Sequence, residues 1–104
     1  MLIRIVRMEF HLETIEPFMK LFQSIQQHIS SFPGCEELEL HRDSENLHVL
    51  YTRSVWINSG ALENYRKSSF FKEVWPQAKQ YFAGKPQAFS LLPISQVSPK
   101  KEKE

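Results

Sequence analysis

The sequence predicts an α+β fold in which a four-stranded antiparallel sheet carries helices on one face, in the order β-α-β-β-α-α-β. Four segments alternate apolar and polar residues with a period of two, which is typical of strands. Three others repeat apolar residues every three or four positions, which is typical of amphipathic helices. Two right-handed β-α-β connections then generate a ferredoxin-like sandwich.

Length and composition limit the possible functions. A chain of 104 residues is one domain by size, and 13 Lys and Arg against 12 Asp and Glu give no basic surface for nucleic acid. A single cysteine excludes an internal disulfide and favours a reducing compartment, so we expect a cytoplasmic protein. No apolar run approaches the roughly 20 residues of a membrane span, and arginines interrupt the start of the chain, unlike a signal peptide.

The first strand is predicted over residues 2–10, and both of its faces are largely apolar, which indicates cover on both sides. Thr14 is expected to cap a helix of about 17 residues, with Pro17 in its first turn, where the missing N–H costs nothing. The buried stripe of this helix steps by three and four: Ile15, Phe18, Phe22, Ile25 and Ile29.

A hairpin is predicted from residues 35–43 and 47–56, joined by a turn at 43–46. One face of its second strand is expected to carry His48, Leu50, Thr52, Ser54 and Trp56.

The stretch from Trp56 to Phe82 reads as two short helices. Asn58 or Ser59 can cap the first helix, and Ser68 or Ser69 the second. Their apolar stripes contain Ala61, Leu62 and Tyr65, then Phe71, Val74, Trp75, Ala78 and Phe82. A last strand is predicted over residues 87–92. We therefore expect a domain over residues 1–92 and a polar Lys- and Glu-rich tail over 93–104.

A sheet with helices on one side leaves its other face bare, and the doubly apolar first strand indicates that this face is covered. The simplest cover is a second copy of the chain, so a homodimer through sheet-to-sheet packing is predicted. The tail is expected to cross onto the partner subunit.

The order of elements and a series of short motifs resemble the antibiotic biosynthesis monooxygenase-like domain family. The resemblance covers residues 2 to about 92, and its motifs are Ile3-Arg-Ile-Val-Arg, Phe32-Pro-Gly-Cys35, Tyr51-Thr-Arg-Ser-Val-Trp56, Ala61-Leu62 with Tyr65-Arg66, and Phe71-Lys with Val74-Trp75. The resemblance implies a dimeric α/β barrel with a pocket between sheet and helices in each subunit. It also implies oxidation of aromatic polyketides or quinols without metal or flavin, or else heme degradation.

Individual residues match the family only in part. Trp56 matches the tryptophan that lines the family's pocket, whereas Tyr65 stands where many members carry a histidine base. In the heme-degrading branch the ligating histidine would fall at Trp75 and a signature asparagine at or near Val6. Heme degradation is therefore not expected.

Cofactor-independent oxygenation needs a base or polar clamp inside a dry apolar pocket. We take His48 and Tyr65 as the catalytic candidates; the alternative is that His48 is a surface residue and Tyr65 belongs to the core. The substrate-binding candidates are Trp56, Phe71, Trp75, Thr52, Ser54 and Arg4. The aromatic residues could instead only pack together, and Arg4 could pair with an internal carboxylate rather than an acidic substrate.

The four histidines lack helical i, i+4 spacing, so no metal site is predicted. The three glycines lie too far apart for a phosphate-binding loop, and no cofactor is predicted. Two function classes remain open at this point. One is an oxygenase acting on a small aromatic or quinol-like molecule, and the other is a non-catalytic ligand-binding or stress-related dimer on the same scaffold.

Overall fold

Seven regular elements follow one another in the predicted order in a computed structural model, which describes residues 1–97. They are β1 (Leu2–Glu9), α1 (Ile15–Ser30), β2 (Cys35–Arg42), β3 (Val49–Trp56), α2 (Ser59–Lys67), α3 (Ser69–Lys79) and β4 (Gln87–Leu91). All strand pairs are antiparallel and the spatial order is β2-β3-β1-β4. This confirms the ferredoxin-like α+β fold. Residues 98–104 of the predicted tail lie outside the described residues.

The turn between β2 and β3 is longer than predicted, and its own hydrogen bonds explain why. Asp43 Oδ1 accepts from the backbone N–H groups of Glu45 and Asn46, both at 2.9 Å. Asn46 Oδ1 then accepts from the N–H of His48 at 3.0 Å. These side-chain acceptors hold backbone N–H groups that would otherwise pair between β2 and β3, so β3 begins at Val49.

The helix starts decide between the alternatives left by the sequence. Asn58 Oδ1 accepts from the N–H of Ala61 at 2.8 Å, and Ser68 Oγ accepts from that of Phe71 at 3.1 Å. Thr14 occupies the N-cap position of α1 as predicted, but its side chain makes no cap bond, because its hydroxyl donates to the carbonyl of Tyr81 at 2.7 Å. Thr14 instead ties the start of α1 to the chain that follows α3.

Gly34 adopts a backbone conformation that other residues rarely reach, with φ at +90°. A Cβ atom at this position would collide with Cβ of Ala61 in α2. The carbonyl of Gly34 also accepts from the N–H of Ile57 at 2.9 Å. The turn before β2 is thereby held against the start of α2, next to the end of β3.

The core between sheet and helices consists of two apolar clusters. The first gathers Met8, Phe10, Phe18, Phe22 and Leu50, among others, and the second is built around Leu2, Ile29, Trp56, Leu62 and Tyr65. Phe71 packs against the second cluster and Trp75 against the first. Their rings stack on each other at 5.7 Å between centroids, which connects the two clusters. Among the described residues, none of the helices combines the length and apolarity needed to cross a bilayer.

Candidate functional site

A cavity of about 310 Å³ lies where the two core clusters meet, between the sheet and the three helices. This volume is at the lower end of the range of small-molecule sites. Most of its lining is apolar, and five residues contribute the polar side chains: Arg4, Thr52, Ser54, Tyr65 and Arg66.

The floor of the cavity comes from β1 and β3, whose paired residues point to the same side of the sheet. Arg4 pairs with Ser54, and Val6 pairs with Thr52. Trp56 is only 1% exposed, and its indole N–H donates to Ser54 Oγ at 2.9 Å. Because the indole N–H already has an acceptor, Trp56 offers its ring rather than a hydrogen bond to an occupant.

Four aromatic rings form one continuous wall beside the floor. The ring centroids of Trp56 and Tyr65 lie 5.1 Å apart, as do those of Tyr65 and Phe71, and the stacked Trp75 follows Phe71. All four residues also line the cavity. The rings therefore pack on one another, as the alternative to a binding site proposed, and they still leave a space of ligand size beside them.

Tyr65 is the one phenol in this lining. Burial raises its pKa well above the usual tyrosine range, and the nearby Cys35 raises it further. The hydroxyl therefore stays protonated at neutral pH. At this position Tyr65 can donate a hydrogen bond to an anion, but it cannot accept a proton as a base.

The guanidinium groups of Arg4 and Arg66 contribute positive charge to the cavity lining. Arg4 Nη1 donates to Ser90 Oγ at 2.9 Å, and among residues 1–97 no carboxylate lies within ion-pair distance of it. Burial lowers the pKa of Arg4, and the neighbouring charge of Arg66 lowers it further. The internal carboxylate that the sequence allowed for Arg4 is thus replaced by a neutral hydroxyl.

The predicted place of His48 on a strand face is wrong, and the structure agrees with the alternative that His48 is a surface residue. It lies exposed in the turn before β3 rather than on the strand face, since Asn46 holds its N–H, and it is absent from the cavity lining. The remaining predicted residues, Arg4, Thr52, Ser54, Trp56, Tyr65, Phe71 and Trp75, all lie together around the cavity.

Sequence reasoning did not single out Arg66 as a site residue. The signal was present, because Leu62 and Arg66 are four residues apart and therefore share a face of α2. The residues of α1 that line the cavity were also predicted only as core residues. They are Phe18, Phe22, Ile25 and Ile29. Packing residues and site residues have the same periodicity, so the pattern alone cannot separate them.

Possible metal ligands are not grouped in the part of the chain that the structure describes. No set of three or more His, Cys, Asp or Glu side chains there is close enough to hold an ion.

Comparison with known proteins places this geometry in a family. A sequence model of the antibiotic biosynthesis monooxygenase family matches residues 1–77. None of the curated proteins compared with the chain matches it.

Solved structures show the same fold at low sequence identity. A crystal structure of an antibiotic biosynthesis monooxygenase superposes with a TM-score of 0.83 at 16% identity, covering 91% of this chain and 100% of the other. A conserved protein from Methanosarcina mazei has a TM-score of 0.81 at 23% identity, covering 86% and 90%. A Mycobacterium tuberculosis protein has a TM-score of 0.83 at 15% identity, covering 93% and 98%.

Proposed function

Because this chain belongs to the antibiotic biosynthesis monooxygenase family, we propose that it oxygenates a small aromatic or quinol-like molecule without a metal or organic cofactor. The observation that carries the proposal is the cavity, whose wall of four rings suits a flat aromatic ligand and whose mostly apolar lining includes a few polar side chains.

The proposed reaction takes all of its electrons from the substrate. An anthrone-like substrate loses a proton to give a delocalised carbanion, which passes one electron to O₂. The two radicals combine into a peroxide anion, which takes up a proton to become a hydroperoxide, and its O–O bond breaks as water leaves. A CH₂ group and O₂ thus become a ketone and water. A quinol would instead be oxidised to a quinone while O₂ is reduced to hydrogen peroxide, so that no oxygen atom is inserted.

The residues of the cavity act on the first step. A bound phenol or enol ionises more readily when donors and positive charge face its oxygen. Tyr65 supplies a protonated hydroxyl, and Arg4 and Arg66 supply positive charge. Thr52 and Ser54 are hydroxyl groups on the floor that can orient the ligand. The proton leaves to water rather than to a side chain.

Oxygen uptake by purified protein in the presence of a chelator tests this proposal. Anthrones and quinols would be compared with protein-free reactions, since both oxidise slowly on their own. Tyr65→Phe keeps the ring and removes the donor, so a fall of about 100-fold in the catalysed rate is expected. Tyr81→Phe, a half-buried tyrosine outside the cavity lining, is the matched control.

A second function is favoured by one feature of the same cavity. Among residues 1–97, neither a histidine nor a carboxylate lines it, so this part of the chain offers no strong base there. This is the arrangement expected of a non-catalytic ligand-binding protein. Binding of aromatic compounds without oxygen uptake above the protein-free rate would select this function over the oxygenase.

The proposed working unit is a homodimer joined through the open sheet face. Ile3 and Ile5 on β1 pair with Leu91 and Phe89 on β4. Both β4 side chains are 48% exposed in the single subunit. An obligate interface of this kind would bury about 2,000 Å² or more. Sedimentation of a compact monomer at micromolar concentration would contradict it.

The tail completes this assembly proposal. Leu92, Ile94 and Val97 follow β4 and are 71%, 99% and 86% exposed, respectively. We place the domain at residues 1–92 and expect residues 93–104 to lie on the partner subunit. Deleting residues 95–104 should then lower the melting temperature of the dimer, and an unchanged melting curve would refute the crossing. A cytoplasmic location also remains a proposal, based on the single cysteine.

A further inference from the structure

We propose that Arg4 and Arg66 form an anion-binding subsite in the cavity, and that the ligand is an aromatic molecule carrying a carboxylate. This inference rests on the proposed function, because it places the ligand's rings against the same aromatic wall. It adds a chemical class that an uncharged anthrone or quinol does not have.

The first support is the position of Arg4. It lies on the helix-facing side of the central strand β1, next to Ser54 in the register, where the cavity floor is otherwise mostly apolar. A guanidinium has five N–H donors, and the hydrogen bond it makes within residues 1–97 goes to the neutral Ser90 hydroxyl. The remaining N–H donors of this half-buried guanidinium are therefore available to an anionic ligand in the cavity.

The second support is the local balance of charge. Arg66 lines the cavity from α2, and its nearest carboxylate, on Glu63, is 3.9 Å away. Glu63 lies at the same 3.9 Å from Lys67, and it also acts on Arg4 from a longer range. A single exposed carboxylate therefore faces three cations. Burial is the main cause of the lowered pKa of Arg4, and the like charge of Arg66 lowers it further. A bound anion would relieve that repulsion.

The third support is geometric. The aromatic wall ends at Trp75, and the cavity that it borders also reaches Arg4, Arg66 and Ala88 of β4. Rings can thus lie against the wall while a carboxylate meets the guanidinium groups. A planar guanidinium matches a carboxylate through two parallel hydrogen bonds.

Calorimetric titration with 2-naphthoate and 2-naphthamide tests the subsite, because the two probes share a ring system and differ in charge. The wild-type protein should bind 2-naphthoate at least tenfold more tightly. Arg4→Gln should bring the acid close to the affinity of the amide and leave the amide unchanged. Arg66→Gln should weaken binding of the acid by less, about threefold, because the Arg66 side chain is 46% exposed.

Lys67→Gln is the matched control, since Lys67 is a neighbouring cation on the same helix outside the cavity lining. Equal wild-type affinities for the acid and the amide would overturn the subsite while leaving the aromatic site intact. A loss of acid binding in Lys67→Gln as large as in Arg4→Gln would also overturn it, because the effect would then be general electrostatics. Failure of both probes to bind would overturn the subsite and the aromatic site together. Oxygen uptake with uncharged anthrones tests the oxygenase separately, so the two proposals can fail independently.

Discussion

The two faces of the sheet are built from the same strands but are completed in different ways. On the helix-facing side, Met8, Leu50 and Trp56 are at most 2% exposed, because α1, α2 and α3 cover them. On the open side, Phe89 and Leu91 of β4 are 48% exposed. One face is thus closed by the chain itself, whereas the other leaves apolar side chains in water.

The open face is itself divided. Its β2–β3 half carries ion pairs, with Arg53 bridging Glu37 at 2.8 Å and Glu39 at 3.5 Å, and its apolar Val49 and Val55 are buried. Its β1–β4 half exposes apolar side chains where Ile5 pairs with Phe89, and it becomes polar only at its end, where Arg7 pairs with Gln87. Charged side chains are usually depleted at the centre of an interface. The comparison therefore indicates that a partner should cover the β1–β4 half most closely, while the enclosed face holds the ligand.

The largest expected effect is on the enclosed face. Trp56→Ala removes a buried ring that contacts Tyr65 and leaves a void that close packing cannot refill, so the free energy of unfolding should fall by about 3–5 kcal/mol. Chemical denaturation measures this. Ile57→Ala is the control, because the next residue is 50% exposed and its loss should cost much less. Similar losses of unfolding free energy in both variants would contradict the conclusion that the helix-facing side of the sheet is closed by the chain itself.

On the open face, the expected effect is on assembly rather than on folding of the subunit. Phe89→Glu places a charge in the apolar half, which should weaken the proposed dimer by about tenfold or more. Sedimentation at several concentrations measures the shift. Gln87→Glu adds the same charge on the same side of β4 but beside Arg7, and it should leave the dimer nearly unchanged. If Phe89→Glu sediments as the wild type does, the proposed interface is wrong.

The fold could be predicted from the sequence because alternation and helical periodicity report burial directly. Prediction failed where local hydrogen bonds override the pattern. The residues around His48 alternate like a strand, yet Asp43 and Asn46 hold them in a turn. The aromatic wall was predicted because Phe71 and Trp75 are four residues apart. The cavity beside it, and Arg66 within it, depend on how three helices meet, which no local pattern contains.

A smaller effect should distinguish Ser68 from Ser69, which the sequence left as alternative N-caps of α3. Ser68 Oγ accepts from the N–H of Phe71, and losing this cap at α3 should lower the free energy of unfolding by about 1 kcal/mol. Ser69→Ala is the matched control, since Ser69 is exposed and is the first residue of α3. Thermal or chemical denaturation of both variants measures the difference. Because α3 carries Phe71 and Trp75, Ser68→Ala should also weaken aromatic ligands slightly.

The smallest effect is expected on the open face, at Asp43 in the turn between β2 and β3. Donation from the N–H groups of Glu45 and Asn46, and from the Tyr51 hydroxyl, lowers the pKa of Asp43 below its ordinary value near 3.8. A carboxyl with a lowered native pKa stabilises the fold above that ordinary value, and this contribution is lost as the pH falls through the native pKa. Asp43→Asn should therefore be less stable than the wild type at pH 7, and the difference should shrink below pH 3.8. Denaturation curves between pH 7 and pH 2 measure this, with Glu45→Gln as a control at an exposed neighbour. A constant difference across that range would mean that Asp43 acts through its shape in the turn and not through its charge.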